Sequence, residues 1–160
     1  MIRKEILGAN RFEYPSKERI GCRGIIIKDS QILLVHESKT DLFMLPGGGH
    51  ELGETLEECC IRELQEETGY EVKPSNEGAF LELNEYYEEF HYISYYYTCE
   101  IIGQGTRKLT ELEAERNLVA EWVDLNIALE IFSHYNDYAS THEEKRGAYF
   151  REYTALQSIH

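Results

Sequence analysis

Two runs of consecutive apolar residues, Ile25-Ile26-Ile27 and Ile32-Leu33-Leu34-Val35, flank the pair Asp29-Ser30. A turn-forming pair between apolar runs predicts two strands within 19–38, and the lack of polar alternation predicts burial on both faces. The period changes past the glycines at 47–49, where Leu56, Cys60 and Leu64 recur every four residues, as on one face of a helix. Thr55 followed by Glu58 forms a capping box worth about 1 kcal/mol, and Gly69 supplies a stop, so a helix is predicted over 55–68. Strand patterning returns over 79–87 and 89–102, where Ile93, Tyr95, Tyr97, Cys99 and Ile101 share a face. Residues 120–125 predict a short strand entering a helix over 126–132, capped by Asp124 or Asn126. A last helix falls within 141–159, weakened by Gly147, and 103–117 reads as a polar loop.

Strands, a glycine loop, a helix, more strands and then helices predict an α/β fold: an α/β/α sandwich built on a mixed β-sheet. A length of 160 residues fits one domain with one core, here taken as 1–160. A doubly wound dinucleotide fold is disfavoured, because strict strand–helix alternation is absent and no GxGxxG follows a strand. No apolar stretch approaches a membrane span or a signal-peptide core, so the expected location is cytoplasmic, with no membrane partner.

The formal net charge of −14 argues against an electrostatic grip on a nucleic acid polymer. An acidic chain can still hold a polyphosphate if divalent cations stand between carboxylates and phosphates. Cys22, Cys59, Cys60 and Cys99 lack CxxC spacing and read as buried free thiols. His36, His50 and His91 show no ligand pairing, although His50 lies inside the glycine loop. No DxDxDG loop marks a calcium module.

The chemistry concentrates on the predicted helix at 55–68. Glu63, Glu66 and Glu67 fall within an arc of roughly 100°, where like charges cost a few tenths of a kcal/mol per pair. A hard cation, Mg²⁺ or Mn²⁺, would compensate; a solvated acidic face is the alternative. The flanking residues separate the two. From Gly48, five residues lead to Glu54 and seven more to Arg62, followed by Glu63, Leu64, Gln65, Glu66, Glu67, Thr68, Gly69 and Tyr70. This resembles the Nudix box, Gx5Ex7REUxEExGU, with every fixed polar and glycine position matched and Tyr70 in place of the last aliphatic.

The resemblance covers about 20–130, with the box at 48–70. It implies a pyrophosphohydrolase in which Glu63, Glu66 and Glu67 hold the metal together with the Gly47 carbonyl, while Arg62 and Glu54 orient their neighbours. Gly48 and Gly49 are expected against the substrate, since a backbone without Cβ can approach a metal–phosphate cluster closely. The base is a box glutamate such as Glu67 or one of the later-loop residues Glu111, Glu113 and Glu115, and Glu115 is also placed among the metal ligands. Tyr86 and Tyr87 are candidates for stacking on a base, in a chain whose Tyr95, Tyr96 and Tyr97 serve as well for packing.

The expected substrate is a (d)NTP or modified nucleotide. The alternatives are a dinucleotide or sugar nucleotide such as a diadenosine polyphosphate or ADP-ribose, and a non-catalytic sensing domain on the same fold. The sequence leaves a homodimer open.

Overall fold

The computed structural model describes residues 1–159. Its strands are β1 (Ile2–Leu7), β2 (Lys17–Ile25), β3 (Ile27–Lys28), β4 (Gln31–Glu37), β5 (Leu42–Met44), β6 (Gly47–Gly49), β7 (Tyr70–Pro74), β8 (Leu81–Tyr87), β9 (Phe90–Gln104) and β10 (Leu118–Asp124). Its helices are α1 (Leu56–Thr68), α2 (Glu111–Glu115), α3 (Leu125–Ser133) and α4 (Glu143–Gln157), with a 3-10 turn at Tyr135–Tyr138.

The first predicted hairpin forms where expected, between β3 and β4, because Asp29 and Ser30 both adopt positive φ, 53° and 64°. That geometry matches the twist of tightly linked strands. β4 is buried from Ile32 to Val35, but Ile27 is 42% exposed and does not join the core. The mixed sheet expected from the pattern is present, and a second sheet lies beside it. One runs β1-β8-β9-β2-β6, with β7 added to β9, and the other runs β10-β4-β3, with β5 added to β4. The chain crosses between them at Ile26, which interrupts β2 and β3 and accepts a hydrogen bond from the Leu33 amide. The first sheet is mixed, since β1 pairs β8 and β2 pairs β9 in parallel.

Two apolar clusters form the layers. Cys22, Ile26, Leu33, Cys59, Cys60, Leu64, Val72 and Tyr97 pack beneath α1. Ile25, Leu34, Leu45, Leu81, Leu83, Tyr96, Phe132 and Tyr149 pack beneath α3 and α4. The expected α/β/α arrangement therefore holds, with α1 on one side and α3 and α4 on the other. The predicted caps of α1 are present, Thr55 with Glu58 in a reciprocal box and Gly69 in the left-handed conformation at φ 81°. Asp124 caps α3.

Two segments depart from expectation. Residues 2–7, given no element by the pattern, form β1, paired with β8 along its whole length. Within the expected loop 103–117, Thr110 and Glu113 form a second capping box that starts α2. The helix expected within 141–159 is α4, which runs through Gly147 with Tyr149, Glu152, Ala155 and Leu156 buried.

Candidate active site

β6 lays Gly47, Gly48 and Gly49 antiparallel to Arg23, Cys22 and Gly21 of β2, directly beside α1. The approach is too close for side chains. A Cβ on Gly48 would stand 2.5 Å from the Glu63 carboxylate, and one on Gly47 would collide with the Cys22 carbonyl. The glycine amides and carbonyls are thereby brought against the carboxylates of α1. The Gly47 amide donates to Glu67 Oε1 at 3.3 Å.

Arg62 ties this corner together and uses all five of its N–H groups. It donates to both oxygens of Glu54 at 3.0 and 2.8 Å, to Glu63 at 2.8 Å, to Glu66 at 3.3 Å and to the Gly49 carbonyl at 2.9 Å. Arg62 holds the Glu54 carboxyl down at about 2. Burial raises Glu63, against the pull of Arg62. Glu67 is buried more deeply and is raised well above the usual range, by burial first, with Arg23 opposing and Glu113 adding repulsion.

Among the described residues no three acidic, His or Cys side chains converge into a ready-made metal cage. The donor set nevertheless fits a hard divalent cation. Glu67 keeps a buried carboxylate with one long hydrogen bond, and Glu63 fills the space that a Cβ on Gly48 would take. Mg²⁺ characteristically takes one or two carboxylates and completes its shell with water and phosphate oxygens.

A cleft leads away from this corner along the face of the first sheet that bears Arg19, Gly21 and Arg23. Strand register aligns Arg19 with Tyr92 of β9, and Tyr92 with Glu85 of β8. Three adjoining cavities follow this face. The first, about 500 Å³, lies against Gly49, His50 and Glu63; the second, about 270 Å³, runs between Gly48, Arg23 and Ser94. The third, about 490 Å³, is walled by β5, β8 and α4. Arg19, Ile20 and Gly49 border both of the first two, and Arg23, Glu85, Tyr92 and Arg151 border both of the last two. The floor between the second and third is a buried ionic cluster. Glu152, wholly buried, accepts from the Leu45 amide at 2.5 Å, Tyr96 Oη at 2.7 Å and Arg151 Nε at 2.9 Å.

The sequence-predicted residues are not all brought together. Glu54, Arg62, Glu63, Glu66, Glu67 and the three glycines meet at one corner. Tyr86 and Tyr87 lie on opposite faces of β8: Tyr87 lines the cleft, whereas Tyr86 stacks on His91 at 4.4 Å on the other side. Side-chain alternation along a strand makes that division unavoidable, so the pairing of the two tyrosines as one binding surface is corrected.

In the later loop, Glu113 is the residue whose charge acts on Glu63 and Glu67, although its carboxylate also caps Thr110 at 2.8 Å. Glu115 is exposed at the far end of α2. His36 and His91 are occupied in packing, stacked on Phe43 and Tyr86. His50 faces the Glu54 carbonyl at 2.6 Å.

Sequence reasoning missed Arg19, Arg23, Glu85, Tyr92 and Arg151. The alternation Arg19, Gly21, Arg23 along one face of β2 was an available signal for two of them. Nothing in the pattern singled out Arg151.

A model of the NUDIX domain matches residues 18–144. A Bacillus subtilis protein provisionally named an ADP-ribose pyrophosphatase is 34% identical over 96 residues, 58% of this chain and 46% of its own length. An ADP-ribose pyrophosphatase of Methanocaldococcus jannaschii is 37% identical over 106 residues, 64% of this chain and 60% of its own. The chain thus matches less than two thirds of the length of either relative. Among solved structures, a NUDIX hydrolase from Nitrosomonas europaea superposes with a TM-score of 0.60 at 20% identity, over 87% of this chain and 90% of that one. This last likeness is one of fold.

Proposed function

Because the chain belongs to the NUDIX domain family, we propose that it is a metal-dependent pyrophosphohydrolase that cuts a phosphoanhydride bond in a nucleoside diphosphate derivative, with a (d)NTP or modified nucleotide as substrate. The observation that carries this is the continuity of the three cavities, which connect the glycine–carboxylate corner to an aromatic-walled chamber. A diphosphate at one end and a nucleoside at the other fit that course.

Glu63, Glu66 and Glu67, with the Gly47 carbonyl, would hold Mg²⁺ or Mn²⁺. When bound, the metal supplies charge neutralisation on the phosphates and lowers the pKa of an attacking water. Glu67 is the candidate to accept the proton, because burial has already raised its affinity for one. Arg62 and Glu54 keep Glu63 and Glu66 in place. Gly48 and Gly49 leave room for the diphosphate, with Arg19 and Arg23 beside it as donors. Tyr87, Phe90 and Tyr92 give the chamber flat apolar walls. Glu115 has no part in this arrangement.

A sugar-nucleotide or dinucleotide substrate is the second reading, favoured by the names of the two relatives, both ADP-ribose pyrophosphatases. The test is a hydrolysis panel of (d)NTPs, oxidised nucleotides, ADP-ribose, NADH and diadenosine polyphosphates, assayed with Mg²⁺, with Mn²⁺ and in excess EDTA, with products identified. Turnover that requires metal is expected. Full turnover in EDTA, or none on any phosphoanhydride, defeats the proposal.

A further inference from the structure

Two residues that line the nucleoside chamber, Arg151 and Glu85, carry an unused donor and an unused acceptor. Arg151 directs Nε to Glu152 at 2.9 Å and Nη1 toward Glu85 Oε1 at 3.8 Å, and its buried Nη2 has no hydrogen-bond partner among the described residues. Glu85 accepts from Tyr87 Oη through Oε2 at 3.1 Å, while its Oε1, facing Arg151 beyond hydrogen-bond range, accepts nothing among the described residues. A buried N–H without a partner is costly, so a site that leaves one open gains most from a ligand that supplies the acceptor. Both residues border the two inner cavities. Beside them, Phe90 and Tyr92 stack within 8° of parallel, with ring centroids 5.4 Å apart, and offer a flat surface to a planar ligand.

We infer that Arg151 and Glu85 select the base, and that they select bases presenting a keto oxygen next to a ring N–H: guanine, hypoxanthine, uracil or thymine. The inference rests on the proposed nucleotide substrate. Arginine offers only donors and an ionised carboxylate only acceptors. A keto oxygen meets the arginine while the adjacent N–H meets the carboxylate. Adenine and cytosine reverse the edge, setting an amino group against the guanidinium and a lone pair against the carboxylate. Two mismatched buried contacts discriminate more strongly than a difference in size, because each leaves a polar group unpaired.

The selectivity lies outside the catalytic corner. Arg151 lies beyond the matched family segment, which ends at residue 144, so the chain need not share the substrate for which the two ADP-ribose pyrophosphatase relatives are named.

IMP and AMP have the same size and differ only at this edge. Calorimetric binding to the parent protein should favour IMP by at least about tenfold. With metal, the kcat/KM ratios for ITP over ATP and for UTP over CTP should show the same preference. Glu85→Gln keeps the shape and offers both a donor and an acceptor, so both ratios should fall toward unity. This variant is chosen over one at Arg151, whose removal strands Glu152. Equal binding of IMP and AMP, binding of neither, or ratios unmoved by Glu85→Gln would overturn the inference. Equal hydrolysis of ITP and ATP would do so while leaving the pyrophosphohydrolase proposal intact, whereas selective IMP binding without any turnover would spare the inference and defeat that proposal.

Discussion

The two arginines at either end of the cleft are used in opposite ways. Arg62 at the glycine corner spends every N–H on neighbours close in sequence: Glu54, Glu63, Glu66 and the Gly49 carbonyl. Arg151 at the chamber floor meets Glu152 beside it and Glu85 from a distant strand, and keeps one nitrogen unpartnered. The first geometry makes a saturated support that holds carboxylates in place. The second leaves hydrogen-bonding capacity for something not part of the chain. A saturated network suits an invariant chemical step, and an unsaturated one suits recognition.

The largest expected effect is on stability at the chamber. Arg151→Met leaves Glu152 charged and fully buried without its cation, which should cost about 3–5 kcal/mol in urea unfolding. A loss under about 1 kcal/mol, typical of an exposed pair, would show the floor to be open to water.

At the other end the loss should be in turnover. Glu67→Gln should lower kcat by at least on the order of 10²-fold, about 2.7 kcal/mol, by analogy with removal of one preorganised electrostatic group. It should also blunt the rise in melting temperature that Mg²⁺ produces by mass action, while the metal-free variant melts no lower than the parent, since a buried, repelled charge is gone. Unchanged kcat and an unchanged metal response would reduce the helix to a solvated acidic face.

Arg62→Ala should cost up to about 10²-fold in kcat through misplacement of Glu63 and Glu66. If Arg62 only supports, Arg62→Lys should recover part of that loss, and a variant at parental rate and stability would break the contrast between the two arginines.

The smallest effect is the pH dependence of the Glu54–Arg62 pair. Glu54 titrates at about 2 in the folded protein, below its ordinary 4.5, so its contribution is present above the ordinary value and is lost as pH falls toward about 2. The stability advantage of the parent over Glu54→Gln should stay constant above pH about 5 and shrink below it. An advantage that grew on acidification would have the wrong sign.

What was legible in the sequence had short reach. The capping box of α1, the Asp29-Ser30 turn and the grouping of Glu63, Glu66 and Glu67 follow from spacings of a few residues. Such patterns are constrained by helix and turn geometry wherever the segment sits. The grouping of these side chains was therefore readable from 48–70, while the pairing of Arg62 with Glu54, which the structure contains, was expected only through the family resemblance. Strand alternation already implied that adjacent Tyr86 and Tyr87 face apart, but only the packing of β8 decided which of them meets the cleft. The chamber had no such local signature. Arg23 comes from β2, Glu85 from β8, Tyr92 from β9 and Arg151 from α4. Their meeting depends on the parallel pairing of β2 with β9 and on α4 folding back over the sheet, long-range choices set by which apolar faces bury one another. The glycines and carboxylates of the α1 corner were thus fixed by local spacing, while the donor and acceptor proposed to read the base were placed by tertiary packing, because no short-range constraint connects residues so far apart in the chain.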